Sequence, residues 1–174
     1  ITGLELDSLS ADLTCFQGQS LDNDGNVLLR YKGGAKGVIH ASQISFGEEC
    51  GLNIRVYGDK GRIAWKQENP NYLLVQKENT PVMTYARKGG GYMCEAADRV
   101  SRIPAGHPEA FIEAFANLYV NFADTLTALA EGRKPTALEL DFPTVKDGIK
   151  GMAFIKAVVE NGFNDNVKWT KLTL

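Results

Sequence analysis

A short polar loop ahead of a long amphipathic segment carries the residues of this sequence that are best suited to chemistry. The loop runs from Arg102 to Glu109 and brings the imidazole of His107 to the start of that segment. Free backbone donors at a helix start, a histidine and an arginine together suit hydroxyl-rich or anionic ligands. The alternative is that His107 caps the helix, with Glu109 favouring the positive end of its dipole.

Polar side chains on predicted strands are a second source of ligand contacts. Gln43 and Asn53 lie on neighbouring predicted strands, and each side-chain amide can both donate and accept hydrogen bonds. A solvated or subunit-facing surface is the other interpretation, because the outward faces of antiparallel sheets are normally polar. These two residues are therefore weaker candidates than the loop.

Motifs for cofactor and metal binding are absent from the sequence. The glycine groups at 33–34 and 89–91 do not sit between a strand and an opening helix with the GxGxxG spacing. The segment Asp22–Asn26 resembles the start of a calcium loop, but its glycine falls two positions early. Only two histidines are present, and the three cysteines are far apart. We therefore predict no metal site, no cofactor-binding residue and no catalytic residue in this chain.

The composition is that of an ordinary globular protein. The 174 residues are 44% hydrophobic and carry a formal net charge of −2. No segment reaches the ~18 consecutive apolar residues of a membrane helix, and there is no basic excess for nucleic acid. We expect one cytoplasmic domain over residues 1–174, with neither nucleic acid nor a membrane as partner.

The first half of the sequence is predicted to form mainly β-strands. Residues alternate between apolar and polar, for example from Leu52 to Tyr57, and glycine-rich turns separate the runs. The predicted strands are Leu4–Phe16, Val27–Tyr31, Lys36–Phe46, Leu52–Tyr57, Arg62–Lys66, Tyr72–Gln76, Val82–Ala86 and, near the C terminus, Val167–Leu172.

Two helices follow most of these strands. The first is predicted from about Pro108 to Glu131, where apolar residues recur at three- and four-residue steps and are expected to cover the sheet. The second is predicted over Thr144–Asn161, with a capping box of Thr144 and Asp147. Its expected buried stripe contains Ile149, Met152, Ile155 and Val159. This order predicts an α+β fold, an open and mainly antiparallel sheet with helices packed on one face.

Several segments resemble one known family in their order and spacing. They are Ile1–Leu13, Ala35–Ser45, Ile54–Trp65, Ile103–Tyr119 and the stretch from Asp141 through Ala157. Together they resemble the C-terminal domain of the glucose-fructose oxidoreductase and inositol dehydrogenase family, usually called Gfo/Idh/MocA. The resemblance covers nearly the whole chain.

This resemblance implies an N-terminal Rossmann domain that binds NAD or NADP and is missing from the chain. It also implies hydride transfer between the nicotinamide and a sugar, a polyol or a related hydroxy compound. The Glu-Lys-Pro motif with the family's catalytic lysine is absent, and its aspartate and histidine pair would precede Ile1. We therefore expect the chain alone to be inactive, and we read its start at Ile1 as that of a piece of a longer protein.

The resemblance also makes the predictions for the binding site and the oligomeric state more specific. The segment Arg102–His107 is similar to one that closes over the substrate end of the site, so we predict His107 and Arg102 as substrate contacts, with Gln43 and Asn53 as companions. The open sheet face implies a homodimer or homotetramer. The alternative function is a stand-alone carbohydrate-binding or scaffold protein without a cofactor.

Overall fold

The computed structural model describes residues 1–173, which form two compact units. Unit 1 combines residues 1–47 with the described residues from Pro143 onward, and unit 2 comprises residues 48–142. The prediction of one domain over residues 1–174 stays a prediction.

The order of elements confirms the α+β class. The described strands β1–β8 are Leu6–Thr14, Asp24–Tyr31, Lys36–Ser42, Asn53–Gly58, Gly61–Lys66, Tyr72–Lys77, Met83–Ala86 and Thr170–Lys171. The helices α1–α3 are Glu95–Arg99, Phe111–Ala130 and Val145–Gly162, and a 3-10 turn spans Phe16–Gly18. Each described helix is too short or too polar to cross a membrane.

Unit 1 contains a four-stranded antiparallel sheet in the order β3-β2-β1-β8, which we call the first sheet. Alternation along β1 and β2 puts Leu9, Leu13, Val27 and Leu29 on one face. That face packs against Ala157 and Val158 of α3 to form the hydrophobic core of the unit. On the opposite face, the cross-strand pair Leu28 and Val38 is exposed.

A buried amide ties α3 to the first sheet. The Oδ1 atom of Asn161 accepts a hydrogen bond of 2.6 Å from the backbone N–H of Ala11 in β1. Its Nδ2 atom donates to the carbonyl oxygen of Val167 and to Oγ1 of Thr170, both at 3.0 Å. Because a buried amide needs such partners, Asn161 fixes the end of α3 against β1 and β8.

Unit 2 contains a second antiparallel sheet, in the order β4-β5-β6-β7. Its strands agree with the predicted ones to within two residues. Gly61 opens β5 beside β6, and a Cβ atom there would collide with the carbonyl oxygen of Gln76. The close approach of these two strands therefore requires glycine at this position.

The predicted packing of the long helix α2 is wrong. The apolar residues expected to cover a sheet are largely exposed, including Phe111, Phe115, Phe122, Leu126 and Leu129. The buried residues of α2 are instead Asn121, Thr125 and Ala128. Asn121 and Thr125 donate hydrogen bonds of 2.8 Å to the carbonyl oxygens of Asp141 and Glu139. The segment that follows α2 therefore covers its polar side, and these hydrogen bonds decide which side is buried.

The predicted buried stripe of α3 is also wrong. Ile149, Met152, Ile155 and Val159 are exposed, whereas Ala157 and Val158 face β1. The α3 backbone lies close to β1 at Gly162, where an added Cβ would meet the side chain of Leu13. Small residues at this end allow that close approach, so they, rather than the larger residues, form the packed face.

The predicted capping box of α3 is present. Thr144 donates to Oδ2 of Asp147 through its backbone N–H at 2.8 Å and through its hydroxyl at 2.6 Å. The backbone N–H of Asp147 donates in return to the Thr144 hydroxyl oxygen. The hydroxyl bond first, and the backbone bond second, lower the pKa of Asp147.

We expect Thr144→Ala to lower the free energy of unfolding of unit 1 by about 1 kcal/mol at neutral pH. The ionised Asp147 contributes stability above its usual pKa near ~3.9, and this is lost as the pH falls through its lowered folded value. The difference from the wild type should therefore shrink in strong acid. Urea denaturation at pH 7 and pH 3 checks both statements, with the exposed Thr2→Ala as the control. An equal effect of the two substitutions would contradict the capping role.

Candidate functional site

The structure brings three of the four predicted site residues into unit 2. His107 and Arg102 lie in the loop before α2, and Asn53 opens β4; all three are exposed. The side chain of Asn53 donates to the carbonyl oxygen of Gly51 at 2.6 Å. Gln43 lies in unit 1, where its backbone N–H donates to the carbonyl oxygen of Asn23 at 2.8 Å.

Asn53 and the loop lie toward the same end of the second sheet. Because the strands are antiparallel, the start of β4, the end of β5, the start of β6 and the end of β7 share that end. The loop is attached there through Asn71, just before β6, and Arg87, just after β7. Asn53 is two strands from β6, which corresponds to about 10 Å between the strands. His107 and Arg102 therefore form the centre of the candidate site, with Asn53 at its periphery.

The guanidinium of Arg87 lies inside the loop and binds its backbone. Nη1 donates to the carbonyl oxygen of Ile103 at 2.9 Å, and Nη2 donates to that of Pro104 at 3.3 Å. Nη2 also donates to the carbonyl oxygen of His107. Three carbonyls of one short loop thus converge on one cation.

The carboxylate of Glu109 binds the backbone at the start of the loop. Its Oε1 atom accepts from the backbone N–H groups of Arg102 at 2.8 Å and Ile103 at 3.1 Å. Its Oε2 atom is buried without a well-aligned hydrogen bond, but it lies 2.8 Å from Nη1 of Arg87. This contact balances charge rather than adding a directional bond. Glu109 is only 8% exposed, so the two charges form a buried ion pair.

Asn71 connects this ion pair to the second sheet. Its Oδ1 atom accepts from Nε of Arg87 at 3.1 Å and from the backbone N–H of Glu109 at 3.0 Å. The backbone N–H of Arg87 donates to the carbonyl oxygen of Asn71 at 2.9 Å. The loop is therefore fixed to the strand ends by hydrogen bonds of both backbone and side chain.

The interpretation of His107 as the cap of the helix is wrong, whereas a favourable effect of Glu109 at the positive end of the helix dipole stays a prediction. The N-cap of α2 is Ala110, and the carboxylate of Glu113 accepts its backbone N–H at 2.8 Å. The backbone bond from Ala110 is the main cause that lowers the pKa of Glu113. The backbone N–H groups of Glu109 and Ala110, just before the first turn of α2, are thus occupied. His107 and Arg102 remain the exposed polar groups of the loop.

The imidazole of His107 has no side-chain partner among the described residues. Its Nδ1 atom lies 3.4 Å from the carbonyl oxygen of Ala105, and its backbone N–H donates to that of Pro104 at 3.2 Å. Such a ring can donate to and accept from a hydroxyl group. Arg102 contributes to lowering the pKa of Glu113, so its positive charge acts near that carboxylate. The arrangement is suited to binding and orienting a polar ligand.

The sequence analysis missed Arg87, Asn71 and the buried state of Glu109. Arg87 follows a predicted strand directly and is 22 positions from Glu109, so no local periodicity links the two. A charged residue at the end of a strand normally contacts solvent. No signal in the sequence distinguished this arginine from an exposed one.

The described residues do not fit a nicotinamide dinucleotide. Gly33 and Gly34 join two antiparallel strands, and the glycines at 89–91 precede a helix of five residues. A dinucleotide site needs a strand, a glycine-rich turn and a full helix whose N terminus faces the pyrophosphate. Within residues 1–173, no group of three or more histidine, cysteine, aspartate or glutamate residues is placed to hold a metal ion.

Comparison with known proteins gives a family for this fold. Residues 1–64 match the family model described as the GFO/IDH/MocA C-terminal domain. The chain is 29% identical over 170 residues to the uncharacterized oxidoreductase YfiI of Bacillus subtilis, a match over 97% of the chain and 43% of that protein.

Solved structures agree with this family. An oxidoreductase from Sinorhizobium meliloti is 41% identical with a TM-score of 0.88, over 97% of this chain and 47% of that one. An inositol dehydrogenase homolog from Azotobacter vinelandii, solved with NADH and myo-inositol, is 30% identical with a TM-score of 0.87, over 97% and 45% of the two chains. The chain thus spans about half the length of these relatives.

Proposed function

Because the chain belongs to the GFO/IDH/MocA family as its C-terminal domain, we propose that it is the substrate domain of an oxidoreductase. The similarity to the Sinorhizobium meliloti oxidoreductase along 97% of the chain is the observation that carries this proposal. The cofactor would be NAD or NADP, held by an N-terminal Rossmann domain. The substrate would be a sugar, a polyol or a related hydroxy compound, and the Azotobacter vinelandii relative with NADH and myo-inositol supports this class.

In this function the chain binds and orients the substrate, and the nicotinamide supplies the hydride chemistry when bound. The exposed ring of His107 hydrogen-bonds a substrate hydroxyl, and Arg102 contacts a second polar group. Asn53 approaches from the start of β4, and Gln43 is the least supported contact, since it belongs to unit 1. No described residue is assigned a catalytic role, so the chain alone should not reduce the cofactor.

We further propose that the protein acts as a homodimer or homotetramer in the cytoplasm. An exposed apolar pair on the first sheet supports the assembly, because Val38 is 71% exposed and is paired with the exposed Leu28. Apolar pairs on an open sheet face are typical of surfaces that bind another subunit.

The proposal is tested on the native polypeptide that carries this sequence, by intact mass and by reduction of NAD⁺ and NADP⁺ with a panel of polyols and sugars. A mass larger than 19.0 kDa by about 100 to 150 residues, with cofactor reduction, would support the oxidoreductase. A mass of 19.0 kDa without cofactor binding would instead support a carbohydrate-binding or scaffold protein.

We expect His107→Ala to raise the KM for the hydroxy substrate, or to lower turnover, by at least several-fold, because a hydrogen bond to the substrate is lost. The KM for the nicotinamide should stay the same. Lys77→Ala is the control, since Lys77 is exposed at the end of β6, the end of the second sheet opposite to the loop. Unchanged kinetics of the His107 variant would exclude this residue from the site.

A further inference from the structure

We infer that Arg87 is a positioning residue, which fixes the loop from Ile103 to His107 and with it the direction of the His107 imidazole. This inference rests on the proposed function in one respect only, which is that the His107 imidazole binds the substrate. The loop geometry itself depends on contacts within unit 2 and on no ligand.

The donors of the Arg87 guanidinium match the acceptors around it. A guanidinium has five N–H groups in one plane and accepts no hydrogen bond. In Arg87 four of them donate hydrogen bonds, and Nη1 also contacts a carboxylate. The acceptors are the side-chain oxygen of Asn71 and the carbonyl oxygens of Ile103, Pro104 and His107, and the contacting carboxylate is that of Glu109.

The contacts of Arg87 also set the direction of the loop. The carbonyl oxygen of His107 points inward to Arg87, while its side chain is exposed. Gly106 precedes it with a φ of +83°, a value that favours glycine and turns the chain at this point. Since no described side chain holds the ring, the backbone alone sets where the imidazole lies.

A lysine cannot replace Arg87 in holding the loop. An ammonium keeps the charge opposite Glu109, so the buried ion pair and the fold should survive in Arg87→Lys. It has three donors on one atom and does not reach carbonyls on several sides of a plane. The loop should therefore loosen while the second sheet remains intact, which makes this variant informative where Arg87→Ala would risk unfolding.

The test measures hydrogen exchange and kinetics of the native polypeptide with Arg87→Lys. We expect backbone amides in residues 102–109 to exchange on the order of tenfold faster, with unchanged protection of β5 and β6. With myo-inositol as the probe at saturating NAD⁺, KM should rise about tenfold while kcat changes less than about threefold, because a misplaced binding group weakens substrate binding. The matched control is Arg133→Lys, whose ion pairs with Glu131 and Glu139 lie outside the loop.

The two readouts separate this inference from the proposed function. Unchanged exchange in residues 102–109 overturns the role of Arg87, whether or not myo-inositol is turned over. Faster exchange with unchanged kinetics, in a protein that His107→Ala impairs, also overturns it. If exchange rises and neither variant alters kinetics, Arg87 positions the loop as inferred, and it is the binding role of His107 that fails.

Discussion

Replacing Leu9 by alanine is expected to lower the free energy of unfolding of unit 1 by about 3 to 4 kcal/mol. Leu9 is fully buried in the first sheet, at 0% exposure, opposite Leu29 of β2 and within the cluster that includes Val158 of α3. The loss combines the transfer of a buried isobutyl group to water with the cavity that remains when a close-packed sheet and helix relax only in part.

The two tryptophans allow each unit to be followed separately. Trp169 lies in unit 1 and Trp65 in unit 2. Urea denaturation of Leu9→Ala in a Trp65→Phe background, read by tryptophan fluorescence, therefore reports unit 1. Leu21→Ala is the matched control, because Leu21 is 76% exposed in the same unit and should change stability by less than about 0.5 kcal/mol. If both variants lost the same stability, Leu9 would not be part of a packed core.

The strands of the second sheet were predicted well because their signals are local. Alternation with a period of two and glycine turns gave β4 and β5 nearly their full lengths, as in the turn between Gly58 and Gly61. The capping box of Thr144 and Asp147 likewise involves residues three positions apart. Interactions within one turn or one hairpin involve residues that are close together in the sequence, so the sequence alone predicts them.

The faces of the helices were not predicted because that choice is made by distant residues. Both α2 and α3 have more than one apolar side, and a hydrophobic period identifies an amphipathic helix without saying what covers it. In α3 the decisive contacts are Gly162 against Leu13 and Asn161 against Ala11, about 150 positions apart in the chain. Strand β8 was predicted longer than its two residues, Thr170–Lys171, for the same reason, since its length depends on its pairing with β1.

In the candidate site, too, the features that depend on neighbouring residues were predicted, and the contacts between distant residues were not. The polarity of the loop and the exposure of His107 and Arg102 follow from their residue types and from Gly106 nearby. The scaffold of Arg87, Asn71 and Glu109 joins residues 16 to 38 positions apart. Its contacts exist only after the ends of β6 and β7 have been brought together by pairing of those strands.

We expect Glu109→Gln to lower the free energy of unfolding of unit 2 by about 3 kcal/mol. The substitution keeps the size of the side chain and the acceptor for the N–H groups of Arg102 and Ile103. It removes the charge that lies 2.8 Å from Nη1 of Arg87, and that guanidinium has a side-chain exposure of only 13%. A buried cation without its counter-charge is the reason for the large effect, which exceeds that of a lost hydrogen bond.

Fluorescence of Trp65 during urea denaturation, in a Trp169→Phe background, measures this loss in unit 2. The matched control is Glu131→Gln, which removes an exposed carboxylate 3.1 Å from Nε of Arg133 in the same unit. That change should be worth less than about 0.5 kcal/mol, because water screens an exposed ion pair. Equal decreases in the free energy of unfolding of the two variants would mean that the ion pair of Arg87 and Glu109 is exposed to solvent. The loop that presents His107 would then lack a buried ion pair beneath it.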